Sequence, residues 1–300
     1  MLETAVNGLL MAAADSVPGV SGGTIAFILG FYDRFIESVD SLFGRDRETK
    51  RRGFTYIMKL GCGWVLGMGI CASLLASLFS THIYFMSSMF IGLTAASFPY
   101  IISSERESIR GGMRNIPFAI LGAAIVILFS WLRVGFGVSI TMDFLHLQAF
   151  HFLWIFFSGM AAITAMVLPG ISGSTVLLIC GVYLPAISAV NNLLHFQTGV
   201  IGGLLALATG VIAGAALSIR FIHKALLYHR SEMVWLILGL MAGSFYAIAV
   251  GPASTGRPLP PLGPATFSVP GFLTGIAILT SMEKLRALRS KRGKQQPQKQ

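Results

Sequence analysis

The sequence predicts an all-α polytopic membrane protein with an inverted structural repeat, each half a Pro-Gly-broken, re-entrant helical hairpin plus three transmembrane helices. Three observations carry this: an apolar composition, a chain that repeats itself, and basic loops that fall on one side. Of 300 residues, 54% are hydrophobic and only 11% charged, where soluble domains carry about 25% charged residues. Windows of about 20 apolar residues can cross a bilayer core. Such windows lie near 54–79, 83–102, 115–132, 199–219, 233–250 and 268–282.

The first element is interrupted by VPGVSGGT at 17–24. Pro18 has no N–H and disfavours helical geometry in the residue before it, so a first helix is expected to stop near Val17. Gly19 allows the turn, and Ser21 suits the N-cap of a second half-helix. The amides of Gly22, Gly23 and Thr24 would then open that half-helix without intrahelical partners, an arrangement that takes anions such as phosphate.

LPGISGST at 168–175 repeats this stretch at an offset of 151, and the match runs from Gly8 with Gly159 through Gly30 with Gly181 and Tyr32 with Tyr183 to Val39 with Val190. Further along, Gly63 and Gly67 match Gly210 and Gly214, GLTAASF at 92–98 matches GLMAGSF at 239–245, and Pro117 and Gly122 match Pro270 and Gly275. A period of this kind makes each copy one structural unit. The expected organisation is a single membrane domain, 1–283, with repeat one at 1–133 and repeat two at 150–283, and a basic cytoplasmic tail at 284–300.

Loop charge sets the orientation. If each broken segment enters and returns, loops 43–53, 103–114 and 220–231 and the tail share one side, and the opposite loops hold only Arg133 and Arg257 as basic residues. That is a positive-inside pattern with both termini cytoplasmic. Three crossings per unit then invert the second copy and bring the two breaks together from opposite faces, the plan of secondary transporters. Arms that are full spans would leave this parity unchanged. The N-terminus shows no basic n-region and no cleavage site, so its first segment is expected to stay in the mature protein.

The candidate substrate-binding residues are Ser21, Gly22, Gly23 and Thr24 with Ser172, Gly173, Ser174 and Thr175, whose amides and hydroxyls suit one anionic group. The alternative is that the breaks only let helices pack closely. Asp15, three residues before Pro18, has Met166 as its counterpart. A carboxylate at this depth is costly; it either couples transport to a proton or sodium ion or caps a helix. Asp33, Arg34 and Glu37, opposite Leu184, Pro185 and Ser188, are expected to pair near the hairpin mouth.

Other chemistry is not indicated. The net charge of +10 sits in loops and tail rather than in a nucleic-acid patch. The match of residues 19–23 to G-x-S-x-G lacks the strand and sheet of a hydrolase elbow, and the six histidines show no metal spacing. No cofactor and no metal is expected. Cys62, Cys71 and Cys180 read as packing residues. Oligomeric state is not legible.

The paired phrases AADSVPGVSGGTIAFILGFYDRFI and LPGISGSTVLLICGVYL resemble the signature motifs of a bacterial membrane family, formerly of unknown function, regarded as polyprenyl-phosphate transporters. The resemblance spans essentially the whole chain. It implies return of undecaprenyl phosphate, the carrier lipid of cell-envelope synthesis, from the outer to the cytoplasmic leaflet of the bacterial plasma membrane. The motifs are also similar to those of undecaprenyl-diphosphate phosphatases, which carry an E-x-x-x-E stretch and an arginine in P-G-x-S-R-S-G. Gly173 stands in that arginine's place, and no guanidinium is there to steady a developing phosphate charge. An ion-coupled symporter of small anions is the third reading.

Overall fold

The structure, a computed structural model, describes the backbone of residues 2–15, 21–110, 113–135, 144, 147–169, 173–250 and 259–294. Within these residues all regular structure is helical. The first half comprises α1 (Leu2–Asp15), α2 (Gly22–Ile28), α3 (Tyr32–Leu42), α4 (Arg47–Ser104), the short α5 (Arg106–Arg110) and α6 (Ile116–Gly135). The second comprises α7 (Ala149–Val167), α8 (Gly173–Ile179), α9 (Tyr183–Leu194), α10 (Ile201–Tyr228), α11 (Arg230–Val250) and α12 (Val269–Lys294). Four stretches among the described residues, Thr81–Ser104, Ala149–Val167, Thr198–Tyr228 and Arg230–Val250, are long and apolar enough to cross a bilayer. The chain is a polytopic helical membrane protein.

Local chemistry explains where the helices start and stop. Asp46 caps α4, accepting from the amides of Glu48 at 3.4 Å and Thr49 at 2.9 Å. Hydrogen bonds from the Thr49 hydroxyl, then from its amide, hold this carboxyl below the usual carboxylate range. Within α4, His82 leaves helical geometry at φ −134°, ψ 45°, which divides the long helix between the two apolar windows. His229 ends α10 at φ −133°, ψ 45°. The chain turns after α2 and α8 at Gly30 (φ 68°) and Gly181 (φ 70°), in the left-handed region that favours glycine.

Close helix contacts recur at the offsets that separate the two halves. α1 packs on α4 with Gly8 against Leu60 and Trp64 and Gly63 against Ala5, while α7 packs on α10 with Gly159 against Leu207 and Val211 and Gly210 against Phe156. The last helix of each half crosses to the other half. α12 meets α4 where Gly92 touches Phe272 and Gly275 touches Met89; α6 meets α11 where Gly239 touches Ala119 and Gly122 touches Leu236. Phe98 stacks on Phe245 at 5.8 Å with an interplanar angle of 19°, so residues at matching positions touch each other.

Loops assigned to one side by their charge also meet one another. The Arg220 guanidinium donates to the Phe43 carbonyl at 2.5 Å, and Arg230 reaches Glu105 at 2.7 Å. On α4, just past the His82 kink, the Tyr84 hydroxyl donates to the Pro260 carbonyl at 3.1 Å.

Two expectations need correction. Cys62 is exposed, on a face of α4 where the neighbouring Gly61 has nothing within 4 Å, and is not a packing residue. Cys180 is half-buried, and the Cys71 side chain lies outside the described part. Asp33 and Arg34 find partners on other helices: Asp33 meets Arg230 at 3.0 Å, and the Arg34 guanidinium lies 4.8 Å over the Tyr56 ring.

Because a side chain at Gly210 would collide with α7 backbone, Gly210→Val is expected to destabilise the protein by about 1–3 kcal/mol. Gly61→Ala, which meets open space, should stay within about 0.5 kcal/mol of the parent. Thermal unfolding in detergent checks both.

Candidate functional site

The first break lies between Asp15, where α1 ends, and Ser21, where the chain is described again. Pro18 and Gly19 lie outside the described residues. Ser21 has an extended backbone (φ −120°, ψ 141°) and caps α2, its hydroxyl oxygen accepting from the Gly23 amide at 3.1 Å. The Asp15 carboxylate spans the break. Its Oδ1 accepts from the Gly22 amide at 2.7 Å and its Oδ2 from the Trp64 indole N–H at 2.9 Å. The Thr24 amide donates to the Ser21 carbonyl at 2.9 Å. All three amides expected to open α2 unpaired therefore have acceptors within the protein.

The second half supplies the other wall. The Ser21 hydroxyl donates to the Met166 carbonyl at 3.0 Å, with the Leu168 carbonyl at 3.3 Å. These acceptors belong to the C-terminal end of α7, whose carbonyls lack intrahelical donors. The electropositive start of α2 thus meets the electronegative end of α7, a favourable dipole contact. Space is tight: a Cβ on Gly22 would lie 2.6 Å from Asp15 Oδ2, and one on Gly23 would lie 2.5 Å from the Val167 carbonyl oxygen. Ser21 and Thr24 are buried as well.

Of the second motif, Gly173, Ser174 and Thr175 form the first turn of α8, while Ser172 lies outside the described residues. A Cβ on Gly173 would lie 2.7 Å from the Ala162 carbonyl oxygen, so α8 leans on α7 as closely as α2 does. The contact described between the breaks runs from α2 to the end of α7.

A family described as undecaprenyl phosphate translocase-like matches residues 11–255, from before the first break to beyond α11. The chain belongs to this family. Two relatives of this translocase-like chain carry the name polyprenyl-phosphate transporter. One, from Staphylococcus aureus, is 33% identical over 253 residues, covering 82% of this chain and 85% of the relative. The other, from Vibrio cholerae serotype O1, is 32% identical over 253 residues, covering 81% of this chain and 76% of the relative. No solved structure matches the translocase-like chain.

Trp64 is the site residue that sequence reasoning missed. A signal existed: where the first copy has Asp15 and Trp64, the second has Met166 and Val211, so carboxylate and donor are lost together.

Asp15→Ala should cost about 1–3 kcal/mol, because it leaves the Gly22 amide without its acceptor in a partly buried place. Asp15→Asn keeps an amide oxygen for that N–H and should lose less. Equal losses in thermal unfolding would show that the hydrogen bond at Gly22 is not what matters.

Proposed function

We propose that this chain carries polyprenyl phosphate from the outer to the cytoplasmic leaflet of the bacterial plasma membrane, for reuse of the carrier lipid in envelope synthesis. The observation that carries the reading is Asp15 seated on the Gly22 amide. A backbone donor at the start of a broken helix holds the protein's own anion where a phosphate oxygen would sit. Family membership supplies the identity of the lipid.

In this reading the two halves are inverted copies whose hairpins approach from opposite leaflets. The recurrence of glycine contacts at fixed offsets and the self-matched Phe98–Phe245 stack support it, since matching residues touch one another across a two-fold axis. The basic loops 43–53, 103–114 and 220–231 face the cytoplasm with both termini.

The lipid phosphate enters between Ser21–Thr24 and Ser172–Thr175 while its isoprenoid tail stays in the bilayer. To reach the Gly22 amide it displaces the Asp15 carboxylate, which leaves with a proton or a sodium ion. Hydrogen bonds to charged groups contribute about 1.5–3 kcal/mol each, so exchanging one anion for another at the same donor is nearly balanced. A carrier needs that balance, because a site that held phosphate much more tightly than its own acid would not release it. Once Asp15 has left, the absence of a side chain at Gly22 lets an oxyanion approach the backbone.

Purified protein in liposomes, assayed in parallel for movement of polyprenyl phosphate, hydrolysis of its diphosphate and uptake of small anions, tests the reading against the phosphatase-like and symporter alternatives. Lipid movement alone is expected; hydrolysis or anion uptake without it overturns the proposal. Asp15→Asn should fold and lose the dependence of transport on an ion gradient. The double variant Gly22→Leu with Gly173→Leu should stop transport, and normal movement in it would remove the site.

A further inference from the structure

The two hairpins differ in charge. The outer arm of the first, α3, carries Asp33 and Asp40, seven residues apart and therefore on one helix face. Asp33 accepts from the Arg230 guanidinium at 3.0 Å, and the same guanidinium donates to both oxygens of Glu105, at 3.0 and 2.7 Å. Arg230 opens α11 and Glu105 closes α4, so one planar fork joins three helices. Further along α3, Asp40 lies 2.7 Å from the His223 ring and 3.7 Å from Arg220, both on α10. The corresponding residues of the other copy are Leu184 for Asp33, Asn191 for Asp40 and Ile83 for Arg230, none of them charged.

The bridge borders a partly open pocket. Asp33, Glu105 and Arg230 line this pocket of about 160 Å³ together with Gly30 and Tyr32 of the first hairpin and Ile101 of α4. Tyr32 is 1% exposed, and its hydroxyl has no hydrogen-bond partner among the described residues.

We propose that the Arg230 bridge is a clasp that holds the first hairpin against the ends of α4 and α11, and that its parting opens the protein on the face of its basic loops and exposes Ile101 at the pocket wall. Calling the opening a transport step rests on the transporter reading above; the opening itself does not. The Arg230, Asp33 and Glu105 side chains are 42%, 54% and 14% exposed. Glu105 is therefore the stronger arm, and solvent and salt screen Asp33. Such a bridge is weak enough to part on the time scale of gating motions.

The test uses full-length protein in liposomes with Cys62, Cys71 and Cys180 replaced by alanine and Ile101→Cys as reporter, a position 2% exposed in the closed form. Labelling by a membrane-impermeant maleimide is expected to rise about fivefold with Arg230→Gln, a factor that corresponds to about 1 kcal/mol. Arg230→Lys should lie between that variant and the parent, and Asp33→Asn should give a smaller rise. Molar salt should speed labelling in the parent but not in Arg230→Gln. If Arg230→Gln does not fold, Asp33→Asn and the salt response decide alone. Unchanged labelling in the variants that fold, or a salt response independent of Arg230, would overturn the clasp. No lipid movement is read, so a failed clasp leaves the transporter reading standing, and a failed transport assay leaves the clasp.

Discussion

A helix that stops and restarts among apolar neighbours frees amide and carbonyl groups that lipid cannot pair. In this chain the pairing is done by a few groups: Asp15 for the Gly22 amide, Ser21 for the Gly23 amide, and the Ser21 hydroxyl for the last carbonyls of α7. Most of the site follows from that demand. Trp64 must sit on the inner face of α4 to hold the second carboxylate oxygen, which fixes how α1 and α4 are rotated against each other. Gly22 and Gly23 can bear no side chain, because the Asp15 carboxylate and the Val167 carbonyl stand where their Cβ atoms would be. On the transport reading proposed above, each protein acceptor marks a place for a ligand oxygen.

The packing around the breaks uses glycine to bring backbones together, as expected where lipid is as apolar as the helix surface and close van der Waals contact drives association. Gly63 against Ala5 and Gly210 against Phe156 close the first helix pair of each half, and Gly92 and Gly239 close the pairs that cross between halves. Because the last helix of each half docks on the other, the halves are interlocked and not merely adjacent. The short α2 and α8, each of seven residues, both lean on α7 within this frame.

Much of this was legible in the sequence because it is local. The Ser21 cap depends on the residues that follow it, the apolar windows depend on composition, and Gly30 with Gly181 marks turns that need a left-handed residue. What was not legible depends on partners far along the chain. Asp15 meets Trp64 across 49 residues, Glu105 meets Arg230 across 125, and Asp33 meets Arg230 across 197. Spacing and periodicity say nothing about such pairs. The exposure of Cys62 was hidden for a related reason: a helix apolar all round does not reveal from composition which face packs and which meets lipid. The repeat holds a partial remedy, since positions where one copy alone carries polar groups, such as Asp15 with Trp64 and Asp33 with Arg230, mark partners in space.

On the transport reading, the amides opening α2 hold the protein's own carboxylate in place of a substrate anion. An experimental structure of the protein in lipid nanodiscs with polyprenyl phosphate bound tests it most directly. Phosphate oxygens are expected within about 3 Å of the Gly22 and Gly23 amides, with the Asp15 carboxylate turned away from Gly22. Phosphate bound elsewhere, with Asp15 still accepting from Gly22 and Trp64, would contradict it.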